Sequence, residues 1–241
     1  MATPYSSYLS CSDTMEQNKS IFVTVGTTLF DPLIHTIFDR RFLNLACKLG
    51  YRHLNIQFGK GSVAVFDADS STSQKEKYES DDALKSETLN GVYHHPSKTS
   101  SILWQAYRFK PSLLEDMKEA DLIISHAGAG SIMEGLNLCR EANNATEMKK
   151  VDRLGTQSKR QDFSSAMKKL VVIINDKLMH NHQTELAEAL EKRGHLYVLS
   201  RPDELCEKEV WSAIEKFVPE DFQDGDHFLF GKLIDKEMGF L

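Results

Sequence analysis

Cysteine is scarce in this sequence, and no two cysteines lie close together. Zinc ribbons and disulfide-rich scaffolds both require cysteines at short, paired spacings. Neither class of protein fits the observed pattern, which instead predicts a reducing compartment. The four cysteines among the 241 residues are Cys11, Cys47, Cys139 and Cys206.

Long apolar runs and basic blocks are also lacking. The longest purely aliphatic run is 170–174, whereas a membrane-spanning helix needs about 20 apolar residues. Residues 1–20 contain no apolar stretch of the kind found in signal peptides. Acidic residues outnumber basic ones, 35 to 29, so binding to nucleic-acid phosphates is not expected as a main activity. We therefore expect a chain that is not secreted, does not cross a membrane by itself and has no nucleic-acid partner.

What the sequence does contain is a series of short apolar runs separated by segments of helical periodicity. Several of these runs, such as 21–25 and 170–174, are mainly apolar rather than alternating, which is typical of strands buried on both faces of a parallel sheet. The sequence therefore predicts an α/β fold with helices on both faces of a parallel sheet. Strands are expected at 21–25, 51–58, near 92, 122–125, 170–174 and 195–199, and helices at 31–50, 112–120, after 131, from 183, at 202–217 and from 228.

The chain is expected to form a single domain, 21–241, after a disordered leader, 1–20. The leader is polar and shows no periodicity. Two stretches rich in polar and charged residues, 60–90 and 140–169, interrupt the alternation of strands and helices. We interpret both as inserted loops, because they contain too few apolar residues to build a packed core.

Three predicted strands are followed by unusual turns. These turns are Gly26-Thr27-Thr28, the segment from His126 to Ser131, and Asn175-Asp176 with 180–183. The carboxyl ends of parallel strands share one edge of a sheet, where ligands of such folds bind. Glycines allow backbone amides to approach an anion, hydroxyls add donors, and a helix N-terminus favours negative charge. The pattern is compatible with a diphosphate, although glycine is also routine in turns between strand and helix.

Several competing motifs are incomplete. The Gly128-Ala129-Gly130 segment has Met133 where a dinucleotide fingerprint requires glycine or alanine, which disfavours NAD. The Gly59-Lys60-Gly61-Ser62 segment resembles part of a P-loop but has Leu54 in place of the first glycine, so nucleotide hydrolysis is not expected. The Asp67-Ala68-Asp69 segment lies in a polar stretch and does not by itself indicate a divalent cation. No cofactor and no metal are therefore predicted.

Two further groups of polar residues have more than one interpretation. Glu134 could be an exposed helix carboxylate, or it could bind the hydroxyls of a ribose. Asn181, His182 and Gln183 could cap the following helix or contact a ligand. His180 and His182 are two residues apart and do not share a helical face, which disfavours a two-histidine metal site there.

Three segments, 22–28, 124–131 and 175–183, occur in an order that resembles a known family of glycosyltransferases. The family comprises the soluble subunits of the UDP-N-acetylglucosamine (UDP-GlcNAc) transferase that makes dolichol-linked chitobiose. These subunits are similar to the C-terminal, donor-binding half of bacterial lipid-linked N-acetylglucosaminyltransferases. The resemblance spans residues 21–235 and implies a Rossmann-like domain, namely a single donor-binding half of the two-domain GT-B fold.

The resemblance also implies roles for the residues of the three turns. UDP-GlcNAc would lie across the strand ends, with Glu134 on the ribose and with Asn181, His182 and Gln183 on the sugar or phosphate. His126 is the candidate catalytic residue, and three roles stay open for it: support of the turn, contact with the diphosphate, or donation of a proton to the departing UDP. The diphosphate would lie near Gly26, Thr27, Thr28, Ala127, Gly128, Gly130 and Ser131.

The reaction implied by the resemblance is inverting transfer of GlcNAc to the 4-hydroxyl of GlcNAc-diphosphodolichol. The acceptor half would belong to a separate, membrane-anchored glycosyltransferase subunit, in a heterodimer or a larger complex. The chain would then act in the cytoplasm and at the cytosolic face of the endoplasmic reticulum, with 228–241 as the docking segment. Two alternative hypotheses are that the chain is a nucleotide-sugar-binding regulatory subunit without catalytic residues of its own, or a free-standing glycosyltransferase with a soluble acceptor.

Overall fold

The fold is described from a computed structural model that defines residues 18–63, 88–154, 167–175 and 182–222. Most of the predicted leader, most of the predicted insertion at 60–90, Asn181 and the predicted docking segment lie outside the described residues. Within the described residues, no helix has the length and apolar character that a bilayer crossing requires.

The described strands form one seven-stranded sheet in the order β3-β4-β2-β1-β5-β6-β7. All neighbouring strands are parallel except β3 and β4, which form an antiparallel hairpin at one edge. β5 and β6 are buried along their whole length, as expected for apolar strands covered on both faces. The strands are β1 (Lys19–Thr24), β2 (Tyr51–Gln57), β3 (Thr88–His94), β4 (Ser101–Tyr107), β5 (Leu122–His126), β6 (Lys169–Ile173) and β7 (Tyr197–Leu199).

Helices pack on both faces of this sheet, which confirms the predicted fold class. The helices are α1 (Asp31–Ile37), α2 (Arg40–Lys48), α3 (Leu114–Glu119), α4 (Ala129–Leu154), α5 (His182–Lys192) and α6 (Lys208–Lys216), with a 3₁₀ helix at Pro202–Cys206. Side chains alternate in direction along β1. Val23 belongs to the core layer that includes α1, α2 and α6, whereas Phe22 belongs to the layer that includes α3, α4 and α5.

Two predicted helices are each divided in two. The helix expected at 31–50 breaks after Ile37, and the Asp39 side chain caps the second part by accepting a hydrogen bond from the Arg41 amide at 2.7 Å. Apolar spacing continues across the break because Phe38 is itself buried and packs edge-on against Trp104. The segment expected at 202–217 similarly forms a 3₁₀ helix followed by α6.

The first part of the polar stretch at 140–169 is helical, where the sequence predicted a loop. Residues 140–154 continue α4, which runs without interruption from Ala129, and residues 155–166 lie outside the described residues. Helices tolerate polar residues wherever they face solvent, so a low apolar content does not exclude a helix. Just before β6, Asn143 of α4 binds both the backbone amide and the carbonyl of Lys168.

The strand predictions need three smaller corrections. β4 was missed, and its pairing with β3 is antiparallel rather than parallel. β1 begins at Lys19, inside the predicted leader, and β7 begins at Tyr197, two residues later than expected. The hairpin escaped prediction because β4, which lies next to the edge strand β3, mixes polar and apolar residues and is partly exposed on one face.

Two consecutive lysines at the start of β6 cap helices on opposite faces of the sheet. Lys168 Nζ donates hydrogen bonds to carbonyls at the end of α3, including those of Met117 at 2.8 Å and Lys118 at 2.9 Å. Lys169 Nζ donates to the carbonyls of Ile214 and Glu215 in α6, at 2.8 and 2.7 Å. The last carbonyls of a helix lack i+4 amide partners, so each ammonium group provides donors at a helix end, and the Ile214 carbonyl also accepts from the Phe217 amide at 3.2 Å.

Burial lowers the pKa of Lys169 to about 8, and the negative charge of Glu215 offsets only part of this shift. Between pH 8 and about 10.4, the usual lysine pKa, the unfolded chain binds more protons at this residue than the folded chain. This residue's contribution therefore makes the free energy of unfolding rise with pH across that window. We expect urea titrations at pH 7.5, 8.5 and 9.5 to show the wild type gaining stability relative to Lys169→Met as pH rises.

The exposed residue Lys48 provides the control. Lys48→Met controls for the replacement of a lysine by methionine at the surface, and is expected to change the free energy of unfolding by less than about 0.5 kcal/mol. If the difference in free energy of unfolding between wild type and Lys169→Met is the same at the three pH values, the lowered pKa of Lys169 is contradicted.

Candidate functional site

Three adjacent strands end at one edge of the sheet. β1, β5 and β6 are neighbours and run parallel, so their carboxyl ends lie side by side. The turn after β1 contains Gly26, the turn after β5 contains Gly128, and β6 is followed by Asn175. The structure thus brings together the first two predicted turns and the start of the third.

The turn after β1 is closed by hydrogen bonds of its own residues. Gly26 adopts a φ of 58°, a conformation that glycine reaches without steric cost. The Thr28 hydroxyl donates to the Val25 carbonyl at 2.7 Å, and the Thr28 amide donates to the same oxygen at 3.2 Å. This arrangement leaves Thr27 exposed at the tip of the turn.

The His126 ring fills the space between the two glycine turns. A Cβ atom added to Gly26 would lie 2.7 Å from His126 Cε1, and one added to Gly128 would lie 2.3 Å from His126 Nε2. Real Cβ atoms essentially never approach other atoms so closely. Both glycines are therefore required by the packing of the histidine, in addition to any role in approaching a ligand.

His126 is deeply buried, with 5% of its surface exposed. Burial lowers its pKa below the usual histidine value, and an interaction with the Thr24 backbone offsets only part of this. Its Nδ1 is the one buried side-chain nitrogen or oxygen of the described residues that makes no hydrogen bond of good geometry. The ring is accordingly neutral at pH 7, since even an unperturbed histidine is mostly neutral there.

The N-terminus of α4 directs its free amides to the same edge of the sheet. The helix begins at Ala129, and the Ile132 amide already bonds to the Gly128 carbonyl. The preceding amides of a helix have no intrahelical acceptor and favour an anion. Gly130 is exposed, and a Cβ atom there would have no protein atom within 4 Å. Packing therefore does not require a glycine at 130, in contrast to 128.

The other predicted residues of this helix face outward to different degrees. Ala127 is buried behind the turn, Ser131 is half-buried in the first helical turn, and Glu134 is exposed one turn further along. Glu134 and Ser131 are three residues apart on the helix, a spacing that places them on the same face.

Asn175 joins the third strand to the first turn. Its side chain is buried, and Nδ2 donates to the Leu29 carbonyl at 3.2 Å. His182 and Gln183 are the first residues of α5, and Asn181 lies outside the described residues. The structure thus gives Asn175 a supporting contact at this edge that the sequence alone did not reveal.

A turn after β2 supports the turn after β1, and sequence reasoning missed its role. Gly59 has a φ of 60°, and a Cβ atom there would lie 2.8 Å from the carbonyl oxygens of both Gly26 and Thr28. Arg108 Nη1 donates to the carbonyls of Gly59 and Gly61, at 3.0 and 3.1 Å. The glycines that resembled part of a P-loop therefore permit close packing of two turns. The available signal in the sequence was the pair Gly59 and Gly61, directly after the predicted strand at 51–58.

Comparison with known proteins gives consistent matches. The glycosyltransferase family 28 C-terminal domain matches residues 20–142, a range that includes the turns after β1, β2 and β5. The chain is 35% identical to the UDP-N-acetylglucosamine transferase subunit ALG13 of Mus musculus and 36% identical to that of Homo sapiens, over 74% of this chain in each case. The matched region is about a tenth of the length of these two relatives, 10% and 11%.

A shorter relative and a solved structure match over most of their length. The chain is 24% identical to the UDP-N-acetylglucosamine transferase subunit ALG13 of Yarrowia lipolytica, over 92% of this chain and 85% of the relative. The solution structure of ALG13 covers 88% of this chain and 93% of its own, with a TM-score of 0.54 and 21% identity. This likeness supports the Rossmann-like fold predicted from the sequence.

The two glycines of the α4 turn should respond differently to alanine. Gly128→Ala places a methyl group against His126 and is expected to lower the free energy of unfolding by about 1–3 kcal/mol. Gly130→Ala meets no protein atom and is expected to leave that free energy unchanged or raise it by up to about 1 kcal/mol. Urea unfolding of the two variants, followed by circular dichroism, measures the difference. Equal effects of the two substitutions would contradict the described packing of His126.

Proposed function

The chain belongs to the glycosyltransferase family 28 C-terminal domain family, and from this premise we propose that it is the donor-binding subunit of a UDP-GlcNAc transferase. The transferase adds the second GlcNAc, in β1,4 linkage, to GlcNAc-diphosphodolichol in N-glycan precursor synthesis. The observation that carries the proposal is the convergence of two glycine turns on the N-terminus of α4 within the segment matched by the family. Similarity to proteins named UDP-N-acetylglucosamine transferase subunits supports the choice of donor.

In the proposed complex, the UDP diphosphate lies between the turn at Gly26–Thr28 and the N-terminus of α4. The free amides of the helix and the exposed Thr27 supply donors, and Gly130 leaves space for the phosphates. Ser131 contributes its hydroxyl on the same side. Because Glu134 follows Ser131 on the same helical face, we assign it to the hydroxyls of the ribose.

We assign Asn181, His182 and Gln183 to the sugar or the adjoining phosphate. Support comes from the topology, because α5 follows β6 and begins at His182. β6 ends at the same edge of the sheet as the two glycine turns. Asn175 strengthens this arrangement by bonding to the Leu29 carbonyl beyond the first turn.

The proposed chemistry is a single inverting displacement. The acceptor 4-hydroxyl attacks the anomeric carbon of GlcNAc on the face opposite UDP, its proton passes to a general base, and the bond to the β-phosphate breaks. Negative charge develops on the leaving diphosphate. Backbone amides that are already oriented toward that position stabilise the charge without reorganisation. No metal ion is required in this scheme.

For His126 we propose the supporting role among the three that the sequence left open. The ring is buried and neutral, and it packs between Gly26 and Gly128. A neutral imidazole with a lowered pKa is a poor proton donor at pH 7. The ring instead sets the spacing between the two turns that hold the diphosphate.

We propose that the acceptor site belongs to a membrane-anchored glycosyltransferase subunit, in a heterodimer or larger complex. The chain then works in the cytoplasm and at the cytosolic face of the endoplasmic reticulum, held there through its partner. The word "subunit" in the names of the relatives supports a partner. The predicted helix at 228–241 is the proposed docking segment.

Gly130→Leu tests the position of the diphosphate. The new side chain meets no protein atom at Cβ and leucine favours helices over glycine, so the fold is expected to persist. We expect transfer to GlcNAc-diphosphodolichol to fall by about 100-fold, because the side chain displaces the donor from its reactive position. The assay uses purified chain added to membranes stripped of their own soluble subunit.

Asn144→Leu introduces the same side chain at an exposed position of the same helix and is expected to leave transfer unchanged. If a known active subunit restores transfer in this assay and the wild-type chain does not, the proposed activity is rejected. Full transfer by Gly130→Leu would reject this placement of the diphosphate. Turnover unaffected by any substitution at this edge would favour a regulatory subunit.

Glu134→Gln tests the ribose contact. The substitution keeps the shape of the side chain and removes its charge, so we expect the KM for UDP-GlcNAc to rise about 10-fold. We also expect the variant to lose the preference for UDP over 2′-deoxy-UDP as an inhibitor, because the preference depends on the ribose hydroxyl. Glu141→Gln, at an exposed position of the same helix, is the matched control. A preference for UDP that survives in Glu134→Gln would exclude the contact.

A further inference from the structure

Gln57, the last residue of β2, lies in the core behind the first glycine turn. Only 1% of its surface is exposed, and its side-chain amide makes three hydrogen bonds. Oε1 accepts from the Thr24 hydroxyl at 2.7 Å. Nε2 donates to the Gly26 carbonyl at 2.7 Å and to the Arg108 carbonyl at 2.8 Å. Because the two neighbours of Nε2 are both carbonyl oxygens, the orientation of the amide is unambiguous.

Gln57 and Thr24 together hold both backbone groups of Gly26. These two residues are opposite each other in the register of β1 and β2. The Thr24 hydroxyl donates to Gln57 and accepts from the Gly26 amide at 3.1 Å. The Gly26 carbonyl is bound by Gln57 and is also approached closely by Gly59. The glycine is therefore fixed at its nitrogen and at its oxygen.

The fixed carbonyl determines the direction of the next amide. In a planar trans peptide the C=O and N–H bonds point to opposite sides. The Gly26 carbonyl points inward to Gln57, so the Thr27 N–H points away from the core, toward the exposed tip of the turn. If this peptide turned over, a carbonyl oxygen would face an incoming anion in place of an N–H donor.

We propose that Gln57 is a positioning residue for the donor diphosphate, acting through the orientation of the Gly26–Thr27 peptide. This inference rests on the proposed function, since it assumes that the turn binds a diphosphate. Gln57 does not touch the donor itself. It sets the direction of one N–H donor and also ties the end of β1 to the Arg108 carbonyl beyond β4.

The Gln57→Met variant removes all three hydrogen bonds at similar side-chain volume. We expect the KM for UDP-GlcNAc to rise about 10-fold, the effect of losing one well-oriented hydrogen bond to a charged group. The inhibition constant for UDP should rise by a similar factor while that for uridine, which lacks phosphates, stays the same. Both constants are measured in the reconstituted transfer reaction. A ratio of the two constants equal to that of the wild type would overturn the proposal.

Thr24→Val is a second variant, useful because it retains the shape of the strand residue and removes only the Thr24 contacts. We expect it to change the ratio of the UDP and uridine constants in the same direction as Gln57→Met, by a smaller factor. An unchanged ratio in Thr24→Val would exclude a role for the Thr24 hydroxyl. If Gln57→Met does not fold, an unchanged ratio in Thr24→Val overturns the proposal by itself.

Asn143→Leu is the control for a merely structural effect. Asn143 is also a buried amide that binds backbone groups, but it acts on Lys168 at the amino end of β6. This variant is expected to lose stability while keeping the wild-type ratio of the two inhibition constants. Absence of any UDP-sensitive transfer in the wild type would count against the proposed function. If the wild type transfers normally and Gln57→Met keeps the wild-type ratio of the two inhibition constants, only the proposed role of Gln57 is rejected.

Discussion

The contact between the His126 ring and two glycines is the constraint on which the candidate site depends. The ring occupies the volume where side chains at Gly26 and Gly128 would otherwise lie, and its burial keeps it neutral. The turns after β1 and β5 can therefore approach each other only across this ring. A rigid separation between two sets of amides is useful for binding a diphosphate, because donors that are already in place lose little entropy when the anion arrives.

A second layer of contacts holds the first turn from behind. Gln57 ends β2 and Arg108 directly follows β4. Their side chains donate to the carbonyls of Gly26, Gly59 and Gly61. These contacts satisfy buried polar groups that would otherwise be costly, and they link three strand ends into one unit. The edge of the sheet is thus organised by interactions between strands, while the residues proposed to bind the donor lie in front of them.

The sequence predicted the α/β class and the turns at Gly26–Thr28 and His126–Ser131 because these depend on local signals, namely apolar runs that end at glycine. It did not predict the break at Phe38, since a buried residue at a helix end keeps the apolar spacing of a continuous helix. The length of α4 was missed because a helical segment rich in polar residues resembles a loop in composition. The roles of Gln57 and Arg108 depend on which strands become neighbours, and this information is present only in the assembled sheet.

The paired lysines of β6 have a consequence for how the length of this chain can vary in evolution. Lys168 and Lys169 reach α3 and α6 on opposite faces because consecutive residues of a strand alternate in direction. A one-residue insertion or deletion directly after Lys169 would move the following residues of β6 to the opposite face of the sheet relative to the two lysines. The lysines and the core residues of β6 could then not both face their present layers. A change in length before Lys168 leaves that register intact. The register of β6 against its neighbours in the sheet is therefore insensitive to changes in length before Lys168.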